Sequence, residues 1–118
     1  MQHYHLTGYY YDFLSPKWRG ELLGKIKVKK DGSFEDEITN SSSKFPNQSV
    51  KIKGRFHKKK GLINLFFTES QLDPELAKTK LQGKKYSLEK KSDGNIRGVY
   101  EGYYSVVGGM DKVEISIF

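Results

Sequence analysis

The chain has 118 residues, a net charge of +7, three prolines and no cysteine. This length is enough for one core and too small for two, so we expect one domain over residues 1–118. The absence of cysteine excludes disulfides and thiolate metal sites as supports of the fold, and an aromatic content of 14% argues against disorder.

The first residues, Met1–His5, contain no basic stretch followed by an apolar run, as a signal peptide would. No apolar stretch approaches the ~20 residues that a membrane-spanning helix needs. We therefore expect a cytoplasmic protein without a membrane span.

Apolar and polar residues alternate strictly in several runs, among them Lys25–Lys29, Val50–Lys53 and Val113–Ile117. A strand places every second side chain on the same face, whereas a helix would scatter these lysines around its circumference. The alternation therefore predicts β-strands.

Turn and helix signals divide this pattern into elements. Asp31-Gly32 and Asp93-Gly94 tolerate the positive φ of tight hairpins, and Lys58–Gly61 marks another turn. Asp73–Glu75 combines an N-cap, a first-turn proline and an acid, which predicts a short helix over 74–81. In chain order, the predicted strands cover about 3–12, 21–30, 33–39, 49–58, 61–68, 84–91, 95–106 and 111–118.

Glycine recurs inside these strands two positions before a large apolar or aromatic residue, as in Gly8…Tyr10 and Gly54…Phe56. Interior glycine weakens a flat strand, but it permits the coiling of a small barrel. The sequence thus predicts an all-β fold: an eight-stranded up-and-down antiparallel meander barrel with one short helix between strands five and six.

Loop lengths distinguish the two ends of such a meander, because successive connections alternate between its ends. One end, which we call the long-loop end, collects the connections 13–20, 40–48, 69–83 and the shorter 107–109. The other, short-loop end collects the turns at 31–32, 58–61 and 93–94. Barrels that hold ligands typically present an elaborated mouth, although insertions are cheap enough to accumulate without function.

The charged rows also follow from the alternation. The lysines and arginine of Lys25–Lys29 and Lys51–Arg55 should face outward, with Glu35 and Glu37 between them on the third strand. Because this acidic row can pair with the basic rows, the lysines are less favoured as a nucleic-acid binding site. Lys58–Lys60 then remains as the densest group of basic residues without acidic neighbours in the predicted sheet. The same parity turns Asp36 inward, which requires a wet lumen or a bulge.

Tyrosine pairs an apolar body with a polar tip and therefore suits the wall of a ligand site. We predict a mouth at the long-loop end, with Trp18 in the loop above it and Asp36 on the inner wall. Aromatic residues at strand spacing also fill cores. The remaining predicted mouth residues are Tyr10, Asp12, Tyr86, Tyr100 and Tyr104.

The run Leu6–Asp12, Thr-Gly followed by aromatic residues and a polar end, resembles the opening strand of the avidin/streptavidin-like barrels. The segment Gly24–Ile38 is similar to that family's second hairpin, and the lipocalins and other calycins share the glycine–aromatic pattern. The resemblance implies a ligand at the open end, contacted by Asp12. It covers about a third of the chain, and the family's several site tryptophans and its serine and threonine contacts have no clear counterparts here.

No motif indicates catalysis, a cofactor or a metal. His3 and His5 share one strand face but lack a third ligand, and no glycine-rich loop opens a helix. Ser41–Ser43 has no evident base partner. We therefore expect a non-enzymatic protein without cofactors.

The leading hypothesis is a calycin-like module that binds a small, partly apolar molecule at its open end. One alternative is an OB-type domain for single-stranded nucleic acid, with five Greek-key strands and stacking by Tyr9, Tyr11 or Tyr103. Another is a structural or inhibitory domain that acts through its surface and has a filled barrel.

Overall fold

The computed structural model of the protein describes residues 1–13, 17–42, 47–70, 85–90, 96–106 and 109–118. Within these ranges, only the backbone is described at residues 17–19, 42, 67–70, 85–90, 104–106 and 109. The strands are β1 Gln2–Asp12, β2 Lys17–Val28, β3 Ser33–Ser42, β4 Gln48–His57, β5 Leu62–Ser70, β6 Lys85–Lys90, β7 Gly98–Val106 and β8 Gly109–Ile117. A 3-10 turn, Lys58–Lys60, separates β4 from β5.

Each strand pairs antiparallel with the next along the chain, and β8 pairs with β1, so the sheet closes into a barrel. The closing ladder runs along Leu6–Asp12 of β1. Among the described residues, the shortest ladder joins β6 to β7 at Glu89 and Lys90. The predicted all-β antiparallel barrel is confirmed, whereas the predicted helix over 74–81 lies outside the described residues.

The start of β2 differs most from the prediction. Tyr10 pairs with Gly20 and Tyr11 pairs with Trp18, so Arg19 is the extra residue of a β-bulge. The bulge lets the strand continue back to Lys17 instead of beginning at residue 21. Trp18 is therefore a strand residue, and its prediction as a loop residue above the mouth was wrong.

The predicted contrast in loop length is weaker than expected. The connections at the long-loop end cover 13–16, 43–47, 71–84 and 107–108, and those at the short-loop end cover 29–32, 58–61 and 91–97. Strands extend into all four of the predicted long-loop connections, and the predicted turn at Asp93-Gly94 lies outside the described residues. The contrast between the ends thus depends on the connection 71–84 alone.

Large apolar side chains fill the interior of the barrel. Leu6, Ile26, Ile52, Ile63 and Ile115 are fully buried and come from five different strands. The fully buried residues lie at alternate positions, as the sequence predicted, because each strand turns every second side chain inward. The described interior is therefore a packed core rather than an open channel.

Inner-face glycines make room for these side chains. A Cβ added at Gly8 would lie 2.7 Å from the Glu114 carbonyl oxygen, and one at Gly24 would lie 2.7 Å from Ile38 Cβ. Glycine at these positions thus permits close approach of a neighbouring strand. Gly32, by contrast, has a φ of 87° in the hairpin at Asp31-Gly32, where left-handed backbone favours glycine.

Candidate ligand-binding site

Polar side chains gather on the inner face at the long-loop end. Asp12, Asn40, Gln48 and Asp111 have the inward parity of their strands and lie within three residues of that end. At the opposite end the inward positions hold apolar or aromatic side chains such as Tyr4, Phe34, Phe56, Tyr100 and Ile117. The interior thus changes from apolar to polar along the barrel axis.

Asn40 is the central residue of this polar end. Its side chain is 1% exposed. Its Nδ2 atom donates hydrogen bonds to Tyr10 Oη at 3.1 Å and to the Glu21 carbonyl oxygen at 3.0 Å. No donor among the described residues binds Asn40 Oδ1. An unpaired buried acceptor costs about 1–3 kcal/mol, so a hydrogen-bond donor placed at this atom would offset that cost.

Tyr10 orients the Asn40 amide, and Gly20 creates the space for Tyr10. The Tyr10 side chain is 7% exposed. A Cβ at Gly20 would lie 2.6 Å from Tyr10 Cζ and 2.9 Å from the Ser41 carbonyl oxygen. The ring therefore crosses directly over the Gly20 backbone to reach Asn40 on β3. The sequence prediction of Tyr10 at the long-loop end agrees with this position.

Two carboxylates face the same end from the closing ladder. Asp12 on β1 pairs with Asp111 on β8, and Asp111 is 2% exposed. The sequence prediction named Asp12 but missed Asp111 and Asn40. The alternation contains both residues. Continued backward from Val113 it predicts that Asp111 faces inward, and continued forward from Ile38 it predicts the same for Asn40.

Tyr100 lies at the other end of the barrel, so its prediction as a mouth residue was wrong. It is fully buried, its hydroxyl donates to the Ile96 carbonyl oxygen at 2.7 Å, and its ring packs edge-on against Phe56. Burial, with a smaller contribution from Tyr4, raises the pKa of Tyr100 to about 12. Tyr100 therefore fills the core at the short-loop end.

Asp36 has the predicted inward parity, but its carboxylate is bound to the sheet. Asp36 Oδ2 accepts a hydrogen bond from the Lys27 backbone N–H at 3.0 Å. The β2–β3 ladder pairs Gly20–Leu23 with Thr39–Ser42, on the side away from this contact. The carboxylate thus joins β2 to β3 beyond that ladder, which removes the need for a wet lumen.

Three predicted site residues are described by their backbones alone. Trp18 pairs with Tyr11, Tyr86 pairs with Leu65, and Tyr104 pairs with Asp111. Because Leu65 and Asp111 face inward, Tyr86 and Tyr104 occupy inward register positions. Tyr104 is also close to the long-loop end of β7.

His3 and His5, the histidine pair at the N-terminus, are exposed, and His5 stacks on Phe118 at 5.3 Å. Within the described ranges, no group of three or more histidine or carboxylate side chains is arranged to hold a metal ion. In the same ranges, no helix has the length and apolar character to cross a membrane.

The chain was compared with protein-family models, curated proteins and solved structures. None of the three comparisons found a match.

Proposed function

We propose that the protein binds a small, partly apolar molecule at the long-loop end of an eight-stranded, calycin-like barrel. The observation that carries the proposal is the unpaired Asn40 Oδ1, buried inside the barrel beside Tyr10. A ligand that places an N–H or O–H group at this oxygen would recover the hydrogen bond that the free protein lacks. Its apolar part would rest on the buried side chains below.

The resemblance to avidin-like and calycin barrels supports the same location. Asp12 has inward parity at this end, where the resemblance expects a polar ligand contact. The connection 71–84, with its predicted helix over 74–81, joins strands at this end as well. The packed interior restricts the ligand to the end of the barrel, so we expect a compact ligand rather than one that threads the barrel axis.

Protein-observed NMR with the full chain tests the proposal. The probes are fragments that join an aromatic ring to an amide or urea group, each of which can donate an N–H. We expect binders to shift the side-chain amide signals of Asn40, and Asn40→Leu to abolish binding. Tyr10→Phe should weaken binding while it retains the Asn40 side chain. Tyr100→Phe is the matched control, since it removes a hydroxyl at the opposite end.

Native mass spectrometry of gently purified protein provides a second measurement, because a carried ligand would appear as added mass. Binders that shift only outer-face signals would contradict the proposal. Unchanged binding by an Asn40→Leu variant with a native melting profile would also contradict it. Either result would favour the alternative of a filled barrel that acts through its surface.

The OB-type alternative loses support because the observed pairing is sequential rather than a five-stranded Greek key. Its three stacking candidates, Tyr9, Tyr11 and Tyr103, occupy outward positions on β1 and β7. Tyr9 donates a hydrogen bond to Glu114 at 2.9 Å, so a carboxylate lies beside this ring. Such a charge disfavours a phosphate backbone on this side of the barrel.

A further inference from the structure

The net charge of the protein comes from one part of the chain. Residues 25–60 contain 11 basic and 4 acidic residues, and the rest of the chain contains 10 of each. The segment 25–60 therefore carries all of the net charge of +7, and the remainder is neutral. This segment forms the end of β2, all of β3 and β4, and the 3-10 turn.

Strand parity gathers these charges on one outer surface, which we call the basic face. All of its members are exposed. Glu35 and Glu37 lie between its two rows, with Glu35 paired to Lys53 and Glu37 paired to Lys51 across β3 and β4. The basic face consists of Lys25, Lys27, Lys29, Lys51, Lys53, Arg55 and Lys58–Lys60.

Carboxylates neutralise this face less than the sequence predicted. Arg55 forms an ion pair with Asp31 at 3.6 Å, and both side chains are more than half exposed. Among the described residues, no carboxylate lies within ion-pair distance of Lys25, Lys27 or Lys29. The predicted pairing of the acidic row is confirmed in the register of β3 with β4. It is not found on the β2 side, where the described ladder joins only residues 20–23 to residues 39–42.

The basic face contains a shallow depression over β3, β4 and β5. Its charged lining consists of three basic side chains and one carboxylate, Lys29, Lys53, Arg55 and Glu35, beside the ring of Phe66. Lys53 Nζ lies 6.0 Å from the centre of that ring. Amines, a guanidinium and an aromatic ring thus share one open surface, a combination that binds phosphate groups and tolerates stacked bases.

Exposed apolar side chains adjoin the described part of this face only at its edge, where Leu23 precedes Lys25 by two positions on the outer side of β2. The exposed large apolar residues of the described chain are Met1, Tyr9, Phe13, Leu23, Val99, Tyr103, Met110 and Phe118, and none falls within 25–60. Surface binding to a bilayer combines basic residues with apolar side chains that enter the lipid. A face with many basic residues and a single exposed apolar side chain at its edge favours a soluble polyanion.

We propose that the basic face binds the phosphate backbone of a nucleic acid without reading its base sequence. The lysines would replace condensed counterions along the strand, and the release of those ions would drive binding. The site is on the outside of the barrel, separate from the proposed ligand site at Asn40.

Fluorescence anisotropy with the full chain and labelled oligonucleotides of mixed sequence, single-stranded and duplex, tests this proposal. For about four phosphate contacts on a single strand, we expect affinity to fall roughly 50-fold between about 50 and 200 mM salt. Lys53→Gln should weaken binding and reduce the slope of log affinity against log salt by about 0.7.

Arg97→Gln is the charge-matched control, because Arg97 is exposed and lies outside residues 25–60. Equal loss in Lys53→Gln and Arg97→Gln would overturn the proposal, since net charge alone would then explain binding. Absence of binding at low salt, or binding to phosphatidylserine vesicles but not to oligonucleotides, would also overturn it. Asn40→Leu should bind oligonucleotides normally, which separates this proposal from the proposed ligand site.

Discussion

Two buried tyrosines show how the surroundings of a residue decide its role. Tyr10 and Tyr100 both have inward parity, and both follow a glycine by two positions. The Tyr10 hydroxyl accepts a hydrogen bond from Asn40 at the polar end, whereas the Tyr100 hydroxyl donates to a backbone carbonyl at the apolar end. Tyr10 therefore belongs to the candidate site and Tyr100 to the core.

Tyr100 should make stability fall at alkaline pH. Its pKa is raised to about 12 in the folded protein, against an ordinary value of 10.0. The folded state keeps this proton where the unfolded state loses it, so the contribution is complete below about pH 10 and disappears as pH rises toward 12. Urea unfolding from about pH 9 to pH 12 should show this decline.

Tyr100→Phe should flatten that alkaline decline, because it removes the titrating group. At neutral pH it should cost about 1 kcal/mol of unfolding free energy, from the lost hydrogen bond to Ile96. A decline of the same size in Tyr100→Phe would assign the alkaline effect to other groups.

At the scale of elements, the β2–β3 pair depends on both a ladder and a side chain. Backbone pairs join the strands near the long-loop end, and the turn at Asp31-Gly32 joins them at the other. Asp31 supports this turn by accepting hydrogen bonds from Ser33 N–H and Oγ, which lowers the pKa of the Asp31 carboxyl. Asp36 holds the strands together between these two regions.

We expect Asp36→Ala to lower the unfolding free energy by about 1–2 kcal/mol and to speed hydrogen exchange of the Lys27 amide. Asp36→Asn is the matched control, because its amide oxygen still accepts the Lys27 N–H. Urea unfolding and NMR exchange measure the two effects. Unchanged exchange at Lys27 in Asp36→Ala would show that this hydrogen bond does not hold the strands.

At the scale of the whole molecule, closure between β1 and β8 joins the two ends of the chain. Thr7 and Ser116 are direct partners across this seam. Paired strand residues have Cα atoms about 4.5–5.5 Å apart, a separation that a disulfide accommodates. Closure also separates the interior of the barrel, which Asn40 faces, from its outer surface, which includes the basic face.

Thr7→Cys combined with Ser116→Cys should form a disulfide on oxidation, since the chain has no other cysteine to compete. Linking residues this far apart in sequence should raise the unfolding free energy by about 2–4 kcal/mol relative to the reduced form. Thiol titration and urea unfolding measure the two outcomes. Thr7→Cys with Ser49→Cys should stay reduced, because Ser49 is on β4. Failure of the first pair to oxidise would contradict closure.

The sequence alone determined the faces of the strands and the positions of the turns at Asp31-Gly32 and Lys58–Gly61. Alternation is a local property of extended backbone, so Ile26, Ile52 and Ile115 are identified as core residues, and the lysines around them as surface residues, without any knowledge of the fold. The sequence alone likewise shows that residues 25–60 account for the net charge.

The tertiary structure alone decided which side chains meet. The bulge at Arg19, the hydrogen bond from Asn40 to Tyr10 and the position of Tyr100 at the apolar end depend on register between strands. Register is a balance of packing and hydrogen bonding between segments distant in sequence, and a local pattern does not contain it. For that reason the alternation places both Asp12 and Asn40 on inward positions, but it does not show that Asn40 bonds to Tyr10.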